Sequence, residues 1–326
     1  MHSVPLWLRA HGRIARRRDL LRAGFTDHGI RTALARGAIF RIRHGWYGTP
    51  DLDTLVRRVV RVGGQLTGVA ALRMRGLFLP VPTMLEVAVP RNAARLRSAD
   101  HFRRRLEPAA PVRVFWSAPP RGSRPPRDWL ASESDALDVI LRTAGRELAV
   151  AACDGLMRYR SWTRTRIDAA FDRAPRRTHA WRSLVDGRAD SWGESFLRIR
   201  ALDAGLPFEP QAQVPGAGAF DGRVSDRVFL EVDGSQHADD WTGDEPGSFQ
   251  RDREKDLVVC ALGGRVIRIG YAQLMDDWPL CLSAITRAVA DDRRSLAARR
   301  KRRRKRRRAD KTRHRGGAPP ESPSFS

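Results

Sequence analysis

Lysine is almost missing from this chain of 326 residues: only Lys255, Lys301, Lys305 and Lys311 carry an ammonium group. The 61 basic residues are therefore 57 arginines and four lysines, set against 37 carboxylates for a formal charge of +24. Cysteine is scarce too. Cys153, Cys260 and Cys281 stand far apart, without the paired spacing of a zinc site or a disulfide scaffold, so each is expected to be a small buried apolar residue. No stretch reaches the roughly 18 apolar residues of a membrane span, and residues 1–15 lack the apolar core and cleavage site of a secretory signal. With 41% hydrophobic residues and a mean hydropathy of −0.47, the expectation is a cytoplasmic, nucleoid-associated protein of about two domains.

What is abundant is arginine, and its distribution says more than its total. Codon usage alone can enrich arginine, so 57 guanidinium groups are not 57 selected contacts, although each can bind phosphate as a bidentate fork. From Arg293 to Ser326 there are fifteen basic residues against Asp310 and Glu321, a net +13 that leaves +11 for the rest. The centre of this segment, RKRRRKRRR at 300–308, has nothing to bury, and past about Arg300 it is expected to be disordered. It would hold polyanions through counterion release, with strong salt dependence and no choice of sequence.

Residues 1–50 read as three short helices and a hairpin. Thr26 or Asp27 is placed to cap the third helix, and Gly37 to end it. Ile30, Leu34 and Ile39 fall on one side, leaving His28, Arg31, Thr32 and Arg36 outward. Alternation of Ile39, Arg41 and Arg43 with Phe40 and Ile42 is strand-like, and His44-Gly45 makes the turn. A helix pair followed by a basic hairpin is winged helix-turn-helix organisation, with Arg31, Arg36, Arg41 and Arg43 as candidate DNA contacts. The segment RRRDLLRAGFTDHGIRTALARGAIFRIRHGWYG resembles the N-terminal domain of AbiEi-type antitoxins. That resemblance implies DNA contact or a partner-binding role, with a toxin or regulatory protein as partner.

The middle region, 51–187, is expected to be α+β and mainly helical in its second half. LEVAVPR (85–91) and VRVFWS (112–117) read as strands, and 52–79 as helical with a glycine pair at Gly63-Gly64. Ser132 or Ser134 would cap a buried helix pair. Asp154, within that pair's apolar surroundings, is expected to be a satisfied hydrogen-bonding residue.

From 188 to 292 the order becomes helix, three strands, helix, strand, helix, an α/β arrangement with a crossover helix, as in a restriction-endonuclease-like core. Asp221 starts one strand; Glu231 and Asp233 lie two apart on the next. If the intervening turn closes a hairpin, Asp221 comes opposite Glu231 or one place off, and three carboxylates crowd together. Like charges in strands are costly, and Mg²⁺ or Mn²⁺ would resolve the conflict. Such an ion supports phosphodiester hydrolysis. His237, just beyond, is a candidate acid or base. Asp252 and Asp256, four apart on the next helix, would orient His237 or a metal-bound water, or simply pair within the helix. Ser191 and Glu194 form a capping box.

Together SxxE at Ser191 and Glu194, Pro210-Gln211, Asp221, EVDGxxH from Glu231 to His237, DREKD at 252–256 and GGRVIRI at 263–269 resemble the domain of unknown function 559, a Vsr-like family of the PD-(D/E)XK superfamily. The resemblance implies a metal site of Asp221, Glu231 and Asp233, with His237 as acid or base and Glu194 as a further ligand. Two departures stand out. Asp233 occupies the superfamily's lysine position, where Lys255 would substitute from the helix, and Gly222 follows Asp221. The residues thus imply a Mg²⁺- or Mn²⁺-dependent DNA endonuclease, or a non-catalytic DNA-binding regulator, antitoxin-like, on a degenerate nuclease fold.

Overall fold

The computed structural model describes residues 3–117, 129–233 and 248–315 as a mixed α/β protein with three small sheets. The chain divides into two compact units, 1–195 and 196–326. Among the described residues no helix is long and apolar enough to cross a membrane.

The first unit opens with α1 (Val4–Ala10), β1 (Ile14–Arg16), α2 (Arg17–Arg22), α3 (Asp27–Ala35), β2 (Phe40–Arg43) and β3 (Trp46–Gly48). Thr26 Oγ1 accepts the Gly29 N–H at 3.1 Å, which satisfies an orphan donor at the start of α3. Gly37, at φ +65°, ends the following turn. Ile30 and Ile39 are buried with Leu8 and Leu20, and Leu34 packs against them. The strands form a sheet of order β1-β3-β2. The first of these strands is absent from the sequence reading because three residues are too few to show an alternation.

Next come α4 (Thr54–Val62), β4 (Gln65–Leu66), α5 (Gly68–Met74), β5 (Leu85–Pro90) and β6 (Val112–Ser117). The stretch expected to be helical over 52–79 is two helices interrupted by β4. The glycine pair causes the break: Gly63 sits at φ +113°, and a Cβ on Gly64 would meet the Ala88 carbonyl. This second sheet runs β4-β5-β6, with β4 antiparallel and β6 parallel to β5. Helices α6 (Glu133–Thr143), α7 (Arg146–Arg160) and α8 (Arg164–Arg173) and a 3₁₀ helix at Arg176–Leu184 complete the unit. Ser132 caps α6 by accepting the Asp135 N–H. Asp154, 1% exposed, accepts from the Asp186 and Gly187 N–H groups and the Ser195 hydroxyl, a structural role.

Helix α9 (Trp192–Asp203) leads into the second unit. There β7 (Glu209–Val214), β8 (Gly218–Ser225) and β9 (Val228–Asp233) form an antiparallel meander. After α10 (Ser248–Ala261), β10 (Arg265–Gly270) joins parallel to β9, giving the order β10-β9-β8-β7. Val259 of α10 packs with Ala212, Val214, Phe220 and Phe229.

The expected single closing helix is two, α11 (Tyr271–Asp276) and α12 (Trp278–Arg315), because Asp277 leaves helical geometry at φ −136° and Pro279 lies in the first turn of the next helix. The second correction concerns the basic tail, which stays helical to Arg315 instead of losing structure near Arg300. Ile285, Ala288 and Val289 anchor the helix by burial, and Asp292 accepts from Ser225 Oγ at 2.9 Å and Arg227 Nε at 2.9 Å. Beyond that anchor, arginine and lysine are good helix formers, and each added residue contributes one backbone bond without a new nucleus. Of the cysteines, Cys153 and Cys281 are buried as expected, but Cys260 is exposed on α10.

Candidate functional site

The acidic residues of the second unit are organised by a break in the sheet. The β8–β9 ladder ends at the Gly222–Leu230 pair. Beyond that pair the Asp221 side chain takes over from the ladder: Oδ2 accepts the N–H of Val232, the residue after Glu231, at 2.7 Å. On the other side of β8 the β7 ladder skips Gln211, which sits at φ +53°, a conformation that costs a non-glycine residue about 1–3 kcal/mol and collects at functional positions.

Glu231 is 7% exposed. The parallel register sets Arg268 of β10 beside it, with Arg268 Nη1 2.5 Å from Glu231 Oε2. The same guanidinium reaches Asp233 Oδ1 at 3.3 Å and, through Nη2, Asp256 Oδ1 at 3.1 Å. Burial pulls the Arg268 guanidinium down, but the Asp256 bond and the charges of Glu231, Asp256 and Asp233 outweigh it and hold it above its usual value. The like-charge crowding expected of the acidic residues is thus relieved by an arginine that sequence reasoning overlooked. Its signal was there: Arg268 stands between Ile267 and Ile269, a charge in the middle of an apolar strand.

Lys255 approaches Glu231 from α10. Its Nζ lies 3.8 Å from Glu231 Oε1, donates to the Ala219 carbonyl at 3.3 Å and sits 5.6 Å from the Phe220 ring centre, within cation–π range. Glu231 therefore has a cation at each oxygen.

No group of three or more His, Cys, Asp or Glu among the described residues is disposed to hold a metal ion. The set of Asp221, Glu231 and Asp233 is accordingly not assembled; Asp233 is more than half exposed and bound to Arg268. Of this set, Asp221 and Glu231 supply hard oxygen donors, the donor type of Mg²⁺ and Mn²⁺. Mg²⁺ is commonly held by one or two carboxylates, with water and substrate phosphate completing the shell, and hard oxygen donors suit both ions.

His237 lies outside the described residues, and of Asp252 only its place on α10 is described. Asp256 serves Arg268. Glu194 belongs to the first unit, where its carboxylate accepts the Asp190 N–H at 2.9 Å while its own N–H bonds Ser191 Oγ at 3.2 Å. This is a capping arrangement with the reciprocal bond displaced by one residue.

Of the candidate DNA contacts, Arg31 is exposed on α3, Arg36 just past its end and Arg41 on β2. Arg43 is a correction. Its Nη1 donates to the Val60 carbonyl at 3.4 Å, in the last turn of α4, and its guanidinium fills the space a Cβ on Gly63 would need. Burial pushes its pKa down, as does the charge of Arg97. It is a packing residue, which the strand alternation could not reveal.

Compared with protein-family models and with curated proteins, the chain matches none.

Proposed function

We propose that the protein is a metal-dependent DNA endonuclease whose centre is Asp221, Glu231 and Lys255. The observation that carries this reading is the ammonium of Lys255 beside Glu231, with Asp221 across the break in the ladder. Lys255, delivered by the helix, would substitute for the lysine of the superfamily pattern, whose place on the strand is taken by Asp233. Asp221 and Glu231 would hold Mg²⁺ or Mn²⁺, which when bound lowers the pKa of water and offsets charge on the attacked phosphate. Lys255 would stabilise the negative charge that develops on the phosphate oxygens. Arg268 holds Glu231 in place, and Asp256 and Asp233 in turn orient Arg268.

The order α1-β1-α2-α3-β2-β3 supports reading residues 3–48 as a winged helix with α3 as the recognition helix and the β2–β3 hairpin as the wing. Arg31, Arg36 and Arg41 would then contact DNA.

A second reading has one specific observation in its favour. Glu231, Asp233 and Asp256 are already neutralised by Arg268, as they would be in a non-catalytic DNA-binding regulator that works with a toxin or regulatory partner. The purified full chain, supplied with Mg²⁺ or Mn²⁺ and single-stranded, duplex or mismatched DNA, separates the two. The endonuclease cuts at least one substrate, and Asp221→Asn or Glu231→Gln abolishes cutting while leaving DNA binding intact. Binding without cleavage of any substrate leaves the regulator.

A further inference from the structure

Between the segment 93–108 and strand β6 lies an open groove of about 820 Å³, within the size of ordinary ligand clefts, roughly 300–1,000 Å³. Its floor is the row Val112, Val114 and Trp116, successive residues on one face of β6. Helix α4 packs on β4 and β5. Among the described residues β6 pairs with β5 alone. Trp116 is 57% exposed. A large aromatic ring left this open at the edge of a sheet offers a stacking face.

The wall is basic. From Arg91 to Glu107 there are six arginines against two carboxylates: Asp100, taken by Arg58 of α4 at 3.1 Å, and Glu107, which lines the groove. An antiparallel bridge between Arg97 and Arg105, with hydrogen bonds from Leu106 N to the Leu96 carbonyl and from Ser98 N to the Arg104 carbonyl, folds 96–106 back on itself. The fold sets Arg95, Arg97 and Arg105 around the groove. None of the three has a carboxylate partner among the described residues. Burial is the main cause that lowers the pKa of Arg43 and Arg61; the charge of Arg97 adds to it at Arg43, and that of Arg57 at Arg61, where Asp100 opposes it.

We propose that this groove binds single-stranded DNA, with a base stacked on Trp116 and phosphates held by Arg95, Arg97 and Arg105. The combination selects the ligand. Duplex DNA keeps its bases stacked inside and offers no face to Trp116, whereas a single strand presents both a π-face and a phosphate to the same groove. The proposal concerns binding alone, so it stands or falls separately from cleavage by Asp221 and Glu231.

Because the arginine-rich segment of α12 would bind polyanions as well, the experiment reads the groove itself. The full chain is irradiated with a single-stranded oligonucleotide carrying 5-iododeoxyuridine, and the adduct is mapped by mass spectrometry, with a hairpin duplex and a single-stranded RNA in parallel. The single-stranded DNA is expected to cross-link to Trp116 and the duplex not to. In anisotropy titrations Trp116→Ala should weaken single-strand binding about 5- to 150-fold, the equivalent of about 1–3 kcal/mol of stacking, with duplex binding unchanged. Trp116→Phe should retain most of the affinity. The triple replacement of Arg95, Arg97 and Arg105 by alanine should lower the salt slope for single strands by about two units, at roughly 0.7 per phosphate. Adducts confined to other residues, an equal loss for duplex, a preference for RNA, or Trp116→Phe as weak as Trp116→Ala would each overturn the proposal.

Discussion

Arg268 and Glu231 are register partners across the parallel β9–β10 pair, and their side chains meet at 2.5 Å. The relationship is asymmetric. Glu231 depends on Arg268 and Lys255, whereas Arg268 also holds Asp233 and Asp256. Removing the arginine takes the closer cation from a buried carboxylate and leaves it Lys255 at 3.8 Å; removing the glutamate leaves the guanidinium two partners. Arg268→Met is therefore expected to cost about 2–3 kcal/mol in urea unfolding, below the roughly 3–5 of a fully buried pair because Arg268 keeps some solvent contact. Glu231→Gln should cost less, and the double variant should show a coupling of about 1–3 kcal/mol. Additive losses would mean that the two side chains do not support each other.

Lys255 separates the two functional readings. A lysine that only neutralises Glu231 can be replaced by Arg without consequence. One that stabilises charge on the scissile phosphate cannot, since a guanidinium is larger and planar. Under the endonuclease reading, Lys255→Met should lower kcat about 10²–10³-fold, the size of losing one oriented charge stabiliser, with little change in KM, and Lys255→Arg should not restore it. Steady-state cleavage assays of both variants check this, with unfolding curves to show that each is folded.

Much of this arrangement was legible in advance. The β8–β9 hairpin follows from turn residues between two apolar runs, and it brings Asp221 to the Val232 N–H without knowledge of the rest of the chain. Arg268 was not legible as a partner, because its meeting with Glu231 depends on a parallel register set through a crossover, a long-range pairing that no local pattern encodes. Arg43 shows the opposite limit. Its alternation with Ile42 correctly gave a strand, but the space beside Gly63 that takes up its guanidinium belongs to another element. The helical run to Arg315 escaped for a different reason. Charge repulsion argues against structure in an isolated basic peptide, whereas here the helix is already nucleated on the buried Ile285, Ala288 and Val289.

Glu86 provides a pH signature in the first unit. It is 8% exposed on β5, and burial raises its carboxyl above the ordinary 4.5, against the lowering effects of the Val69 N–H bond and Arg113. Between 4.5 and the higher folded value the native state holds more protons than the unfolded state. Its contribution to stability is therefore fully present below 4.5 and is lost as the pH rises through that window. Glu86→Gln keeps an acceptor for Val69 and removes the charge. It is expected to raise the stability at pH 7 and to flatten the fall of Tm with pH above 4.5. A variant with the wild-type pH profile would show that Glu86 titrates normally.

The basic end of α12 gives the last prediction. Its arginines lie along a continuous helix that runs to Arg315, so cutting the chain after Asp292 should remove both charge and helix. The far-UV helix signal should fall by the share belonging to Arg293–Arg315, and the buried Asp292 anchor should leave the thermal transition of the remaining protein in place. The slope of log K against log salt for duplex DNA should drop by several units, since each neutralised phosphate contributes roughly 0.9. The two readouts bear on different links. A lower slope with an unchanged helix signal would mean that the segment binds DNA as irregular chain. A lower helix signal with an unchanged slope would mean that the helix forms but its charge does not touch DNA, leaving the exposed Arg31, Arg36 and Arg41 and the groove at Trp116 to account for binding.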